Sequence, residues 1–279
     1  MAEDPILWLV VNSASGSNDA GAVAAVTDAL AAAGRAPARI VDIQSESLPS
    51  DAALAAAGVG VLAIFAGDGT INALVTGLVG WGGKVLVLPG GTANLLSRSL
   101  HGDRDAVQIA ALLGAARAVR RNAVRCSQGF ALIELLAGPG AVWSDVREGL
   151  REGDIAEVAA TGAEAVRQSV AGSMLELREP PVGRDGGYAG IRLTPADGRI
   201  EVAGYGAETF GDYLLQGLAL LKRDYRQGPH DELGGYREVL CRSSDGKPIE
   251  LMIDGERRTG SSEERFSLAE LAVDLLAVP

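Results

Sequence analysis

The chain has 279 residues, 47% of them hydrophobic but only 4% aromatic, and a formal net charge of −11. That length allows two domains, with cores filled mostly by Ala, Leu and Val. So acidic a surface argues against nonspecific nucleic-acid binding and strong attraction to anionic membranes, while leaving room for a local basic cleft.

The first hundred or so residues alternate short apolar runs with Ala-rich amphipathic ones. Ile6 to Asn12, "ILWLVVN", reads as a buried strand. "SNDAGAVAAVTDALAAAG" reads as a helix, with Asn18 or Asp19 accepting the free amides of its first turn and Gly34 as the left-handed residue past its end. "ARIVDI" is a second strand. A short helix capped by Ser50 follows, then the strand "VGVLAIFAG", the helix "TINALVTGLVG", the strand "KVLVLPGG" and the helix "TANLLSRSL". Strands without polar alternation, each followed by a helix, predict a parallel sheet covered on both faces.

Beyond about Asn122 the texture changes. "ALIELLAG", "GSMLELRE", "GYAGIRLTPADGRIEVAGYG", "YREVLCRSSDGKPIELMIDGE" and "AELAVDLLAVP" read as strands joined by turns such as Ala-Asp-Gly and Ser-Asp-Gly. Helical pieces interrupt them near 142–170 and 207–222. The expected organisation is an α/β domain over 1–120 and a β-rich domain over 121–279. Cys126 and Cys241, the only cysteines, are far apart and in no CxxC, which excludes a disulfide framework and a thiolate zinc site and fits a reducing, cytoplasmic compartment. His101 and His230 are too few for a His-rich metal centre and read as incidental surface or loop residues. The acidic start, Met-Ala-Glu-Asp-Pro, is unlike the basic start of a signal peptide. No apolar run approaches the roughly 18 residues that cross a bilayer.

Ligands of a parallel sheet bind beyond the carboxyl ends of its strands, and three turns there share one composition: Asn12-Ser13-Ala14-Ser15-Gly16-Ser17, Gly67-Asp68-Gly69-Thr70, and Pro89-Gly90-Gly91-Thr92-Ala93-Asn94. Each offers small residues, amides and hydroxyls in front of a helix N-terminus, which suits phosphate oxygens. One such turn alone is ordinary connection chemistry, with Thr70 or Thr92 as a helix cap. Three on one sheet edge point to a ligand. Asp68, an acid among phosphate-binding amides, is then explained as a Mg²⁺ ligand, direct or through water, or as a group that orients the reacting atoms. Other phosphate motifs fail on spelling. "NSASGS" is not G-x-G-x-x-G, and "GLVGWGGKV" puts Leu78 and Val85 where a P-loop needs Gly and Ser or Thr.

With these blocks assembled, the sequence resembles the diacylglycerol kinase catalytic-domain family, which includes sphingosine kinases and bacterial lipid kinases, and shares more distant logic with NAD kinases. The family pattern is N-P-x-S-G, G-G-D-G-T-x-N-E, P-x-G-T-x-N-D and a late D-G-E. Here these read Asn12-Ser13-Ala14-Ser15-Gly16, Ala66-Gly67-Asp68-Gly69-Thr70-Ile71-Asn72-Ala73, Pro89-Gly90-Gly91-Thr92-Ala93-Asn94-Leu95 and Asp254-Gly255-Glu256. Ala73 and Leu95 stand where the family has acids.

The resemblance implies an α/β nucleotide-binding domain and a β-sandwich-like domain, with ATP and a lipid meeting between them and the last strand returning to the first domain. It implies transfer of the γ-phosphate of ATP to a hydroxyl of a diacylglycerol- or sphingoid-like lipid. Asn12, Ser15, Gly16, Gly67, Asp68, Gly69, Thr70, Asn72, Gly90, Gly91, Thr92 and Asn94 would hold the nucleotide. Asp68 would meet Mg²⁺, Asp254 would take the acceptor's proton, and Glu256 would assist the metal or orient Asp254. Read alone, Asp-Gly in the last block is equally the signal of a type I′ hairpin turn.

The partners implied are a lipid and, transiently, a membrane surface, with a homo-oligomer left open and no nucleic acid. Two other readings stand beside this one: a nucleotide- or lipid-binding protein without turnover, which Ala73 and Leu95 keep open, and a kinase of a soluble substrate. The basic run of Arg117, Arg120, Arg121 and Arg125 reads as a solvated face before a ligand contact. "FALIELLAGPGAVW" reads as core packing before an acyl slot.

Overall fold

The computed structural model describes residues 5–13, 18–138, 174–206 and 230–279. Within them the chain divides into one unit of residues 1–121 and 270–279 and another of residues 122–269. The helices expected near 142–170 and 207–222, most of "GPGAVW", Ser15 and Gly16 lie outside the described residues.

The first unit is built on strands β1 (Ile6–Val11), β2 (Arg39–Asp42), β3 (Val59–Ala66) and β4 (Lys84–Pro89), all parallel, in the order β2-β1-β3-β4. The chain's last strand, β17 (Asp274–Ala277), lies parallel to β4, and β5 (Arg117–Val119) closes the edge antiparallel to it. Helices α1 (Ala20–Ala32), α2 (Asp51–Ala56), α3 (Asp68–Gly77), α4 (Leu95–His101) and α5 (Ala106–Ala111) connect these strands.

Local chemistry sets the helix starts. The Asp19 carboxylate accepts from the Ala22 amide at 2.8 Å, Ser50 accepts from Ala53, and Asp105 and Gln108 form a reciprocal capping box at α5. Gly34, at φ +75°, closes α1 where a side chain would be strained. Val26 and Leu30 of α1 and Ile109 and Ala110 of α5 cluster with Leu7, Leu9, Val61, Phe65 and Leu86 of the sheet. The alternate residues Val10, Leu62, Ile64 and Val87 are buried as well. Both faces are therefore covered, and each buried Leu, Ile or Val is worth about 1.5–3 kcal/mol.

Two features that read as surface chemistry hold this unit together. The Arg120 guanidinium bonds the Asp274 carboxylate at 2.7 Å and the Leu271 and Ala272 carbonyls at 2.8 and 3.1 Å, and Arg121 bonds Ser99. Half of the basic run thus anchors the approach to the last strand. His101 is 1% exposed. Its Nδ1 accepts from the Val278 amide at 3.3 Å, so the proton sits on Nε2, which donates to the Val87 carbonyl at 3.0 Å.

The second unit carries two antiparallel-paired sheets. One has the order β12-β11-β10-β8-β14-β15, from β8 (Leu135–Gly138), β10 (Gly190–Ala196), β11 (Arg199–Tyr205), β12 (Asp231–Tyr236), β14 (Glu250–Ile253) and β15 (Glu256–Thr259). The other has the order β7-β6-β16-β13-β9, from β6 (Asn122–Cys126), β7 (Gly129–Ala131), β9 (Leu175–Glu179), β13 (Glu238–Ser243) and β16 (Glu263–Glu270). Both sheets feed one core that includes Val124, Leu177, Leu193, Val202, Leu251 and Phe266, as in a sandwich. The α/β unit with a parallel sheet and the β-rich second unit are the fold class read from the sequence. Among the described residues no helix is long and apolar enough to cross a membrane.

Burial lowers the His101 pKa from 6.5 to about 4. Above pH 6.5 His101 is neutral in both folded and unfolded chains. Between pH 6.5 and about 4 the unfolded chain binds the proton first, so stability falls as pH falls, by up to about 3 kcal/mol. Denaturant titrations of the wild type and His101→Gln from pH 7.5 to 4.5 are expected to show the variant losing less stability across that window. Parallel losses would contradict the assignment.

Candidate functional site

The parallel register brings the turns together. Val11 of β1 pairs with Phe65 of β3, and Ala66 of β3 pairs with Pro89 of β4, so the chain leaves all three strands at one level. The order β2-β1-β3-β4 reverses direction between β1 and β3, which is where a doubly wound sheet opens a crevice at its carboxyl edge. Asn12, Gly67 and Gly90 begin the three turns. The Gly90 amide donates to the Ala66 carbonyl at 3.1 Å, and the Asn12 amide to the Phe65 carbonyl at 3.4 Å.

Asn18, which the sequence offered as a helix cap, faces inward instead and leaves that duty to Asp19. It is fully buried. Its Nδ2 donates to the Asn12 carbonyl at 3.3 Å and the Phe65 carbonyl at 3.0 Å, joining the ends of β1 and β3. The sequence signal for it was only an Asn beside the true cap.

The glycines separate into two kinds. A Cβ on Gly90 would sit 2.5 Å from Asn18 Nδ2 and 2.7 Å from the Ala66 nitrogen, and one on Gly91 would sit 2.7 Å from the Gly67 Cα. These two are glycine because the turns after β3 and β4 touch. Gly69 has nothing within 4 Å of its would-be Cβ, and Gly67 meets only an ordinary contact at 3.7 Å. Neither has a positive φ. Gly69 is exposed in the first turn of α3, where glycine costs helix stability relative to alanine. Packing gives no reason for it, whereas close approach of a ligand to the backbone would.

Gly67 caps α3 without a side chain. The helix starts at Asp68, two residues before the expected Thr70, so Asp68, Gly69 and Thr70 form its first turn. Its leading amides carry no side-chain cap and have the dipole of a 10-residue helix behind them. Asp68 is half-buried there, and Asn72, one turn on, shares its side of the helix. Ala73, in place of the family acid, is exposed. In the third turn Asn94 is left-handed at φ 52°, and its side chain braces the loop by bonding the Gly91 amide and carbonyl at 2.8 Å each. Thr92 is exposed at the turn's crest.

A carboxylate such as that of Asp68 is the kind of oxygen donor that Mg²⁺ prefers. No group of three or more His, Cys, Asp or Glu gathers around a metal position among the described residues.

Asp254 and Glu256 belong to the second unit, at the β14–β15 hairpin. Asp254 at φ 47° and Gly255 at φ 86° are the two central residues of a type I′ turn. This is the hairpin turn that Asp-Gly alone signals. Asp254 is 8% exposed. Its Oδ2 accepts from the Leu132 amide at 2.7 Å, and its Oδ1 from the Ile133 and Glu134 amides at 2.8 and 3.0 Å. The carboxylate thus clamps the 132–134 bend onto the hairpin. Glu256, first in β15 opposite Ile253, is only half-buried.

Residues 6–126 match the family model of the diacylglycerol kinase catalytic domain. No curated protein matches the chain. Among solved structures, one described as a diacylglycerol kinase from Bacillus anthracis str. Sterne matches with a TM-score of 0.69 at 18% identity, covering 100% of this chain and 99% of that one. Two further structures from the same organism match with TM-scores of 0.67 and 0.66 at the same identity and coverage. At that identity the likeness to the solved structures is one of fold.

The two kinds of glycine give opposite expectations. Gly91→Ala drives backbone against backbone and is expected to lower stability by about 1–3 kcal/mol. Gly69→Ala is expected to leave stability unchanged or raise it by about 0.5–1 kcal/mol, while weakening ATP binding about tenfold. Thermal unfolding and calorimetric titration with ATP check both. Undiminished ATP affinity in Gly69→Ala would make that glycine incidental.

Proposed function

We propose, from the match of residues 6–126 to the diacylglycerol kinase catalytic-domain model, that the chain transfers the γ-phosphate of ATP to a hydroxyl of a diacylglycerol- or sphingoid-like lipid. The observation that carries the reading is Gly69: a helix-opening glycine that the fold does not need, beside two turns that the fold holds against it. The lipid is favoured by the kinship of the first unit and by the named Bacillus anthracis relative, whose fold spans this chain.

Phosphoryl transfer asks a protein mainly for positioning and charge neutralisation. In this reading the amides of Gly67 to Thr70 and of Gly90 and Gly91 hold phosphate oxygens, with the Thr70 and Thr92 hydroxyls beside them. Asn12, Ser15, Gly16, Asn72 and Asn94 complete the nucleotide side, and Asn94 acts by keeping the third turn in shape. Asp68 holds Mg²⁺, which offsets the charge of the triphosphate when bound. The acceptor oxygen forms its bond to the γ-phosphorus as the bond to the departing ADP oxygen breaks, and the acceptor proton passes to a carboxylate. Glu256 suits that step better than Asp254, whose oxygens are committed to three amides. Asp254 positions the hairpin that carries Glu256. The chain works at the cytoplasmic membrane surface, where its lipid lies, by transient contact.

Ala73 and Leu95 favour the second reading, nucleotide binding without turnover, because both turns lack an acid that the family pattern carries. Purified protein with γ-labelled ATP, Mg²⁺ and a panel of diacylglycerols and sphingoid bases is expected to yield labelled lipid. Tight ATP binding with no transfer would replace the proposal with the second reading, and a labelled soluble product would replace the lipid. Glu256→Gln is expected to lower turnover about a hundredfold at unchanged stability. Asp254→Asn is expected to cost about 1–3 kcal/mol of stability. A Glu256→Gln enzyme at wild-type turnover would remove that residue from proton transfer.

A further inference from the structure

The parallel sheet of the first unit has a second edge, where its strands begin, and a cavity of about 580 Å³ opens there. Val59 and Val61 at the start of β3, Lys84 at the start of β4, and Arg35, three residues past α1, are among its lining residues. Among the described residues that line it none is acidic, in a chain of net charge −11. Two acids of the neighbourhood are engaged elsewhere. Asp274, opposite Lys84 in the register, bonds Arg120 at 2.7 Å, and Asp51 accepts from the Gly80 amide at 3.2 Å. A cation past the end of α1 suits that helix's carbonyl end, and Arg35 alone would signify only that. Lys84 opens a strand, where no helix dipole asks for it, and pairs with no acid among the described residues.

The backbone around the cavity is bared as it is at Gly69. Gly82 and Gly114 line it, and both are exposed. A Cβ on either would meet nothing within 4 Å, and neither has a positive φ, so packing and turn geometry give no reason for glycine at either position. Gly83 is different. Its would-be Cβ falls 2.0 Å from the Trp81 ring, so this backbone lies against the indole, whose Nε1 donates to the Val59 carbonyl at 2.9 Å. Trp81, Leu113 and Leu276 thus give the cavity a firm apolar wall. Two cations, bare backbone and an apolar wall suit a ligand with a strongly anionic group on a compact apolar body. A phosphate monoester carries about −1.5 to −2 charges at pH 7 and has charge for both cations, whereas a carboxylate has charge for one.

We propose that the cavity at the amino edge of the parallel sheet is a second binding site, for an organic phosphate monoester whose phosphate meets Lys84 and Arg35 and whose body packs on Trp81 and Leu113. The site lies at the opposite ends of β3 and β4 from the turns described above, and it does not depend on the kinase reading. The isotope-labelled full chain is to be titrated with phenyl phosphate and followed by amide-resolved NMR, with and without a non-hydrolysable ATP analogue and Mg²⁺. The amides of Gly82, Gly83, Lys84 and Gly114 are expected to shift saturably in both cases. Lys84→Gln and Arg35→Gln are each expected to weaken that binding about tenfold, and Lys84→Arg, which keeps the charge, to retain most of it, with thermal unfolding as the folding control. Inorganic phosphate, which lacks the apolar body, is expected to bind there about tenfold more weakly. No saturable shift at those four amides, shifts confined to Gly67, Gly69, Thr70 and Gly91, or undiminished affinity in folded Lys84→Gln and Arg35→Gln proteins would overturn the site and leave the kinase reading intact. Equal affinity for inorganic phosphate would overturn the organic ligand.

Discussion

The contact on which the candidate site depends is the approach of the Gly91 backbone to that of Gly67, a separation that no Cβ on Gly91 permits. The parallel register of β1, β3 and β4 ends three strands level, and the Gly90 amide and the Asn18 side chain then join each turn to its neighbour. Small residues there are first a packing necessity. Once the turns are packed, their amides and the α3 terminus are presented together at the sheet's carboxyl edge. Amides presented in this way are what an anion site requires.

The second unit uses a buried carboxylate in a different way. At Asp254 the side chain replaces a missing stretch of backbone pairing, taking three successive amides of a bend that no strand satisfies. Glu264, also buried, does the same for the Ser127 and Ser261 amides at 2.8 and 3.0 Å. Both carboxylates hold turns, and each stays buried because backbone donors surround it. In such a setting an Asp-Gly-Glu triplet divides its labour. The first acid builds the type I′ hairpin, and the last is left half-exposed at its foot.

Periodicity made the first unit legible. Continuous apolar strands and capped helices, as at Asp19 and Ser50, follow from rules that act over a few residues. The candidate site was legible where composition is unusual, in Gly67-Asp68-Gly69-Thr70 and Pro89-Gly90-Gly91. It was not legible where a side chain acts across the fold. Asn18 reaches a strand 47 positions away, and Arg120 meets a carboxylate 154 positions on. Neither has a local pattern to betray it. His101 read as incidental because nothing in "SLHGD" shows that its ring will bridge β4 and the chain's last residues.

The central claim is that the turns after β3 and β4 hold the phosphates of a nucleotide. Amide-resolved NMR of the isotope-labelled protein, titrated with a non-hydrolysable ATP analogue and Mg²⁺, tests it most directly. The account predicts that the signals of Gly67, Gly69, Thr70 and Gly91 move first and furthest, at saturable nucleotide concentrations. A bound nucleotide that left those four signals in place while others shifted would contradict it.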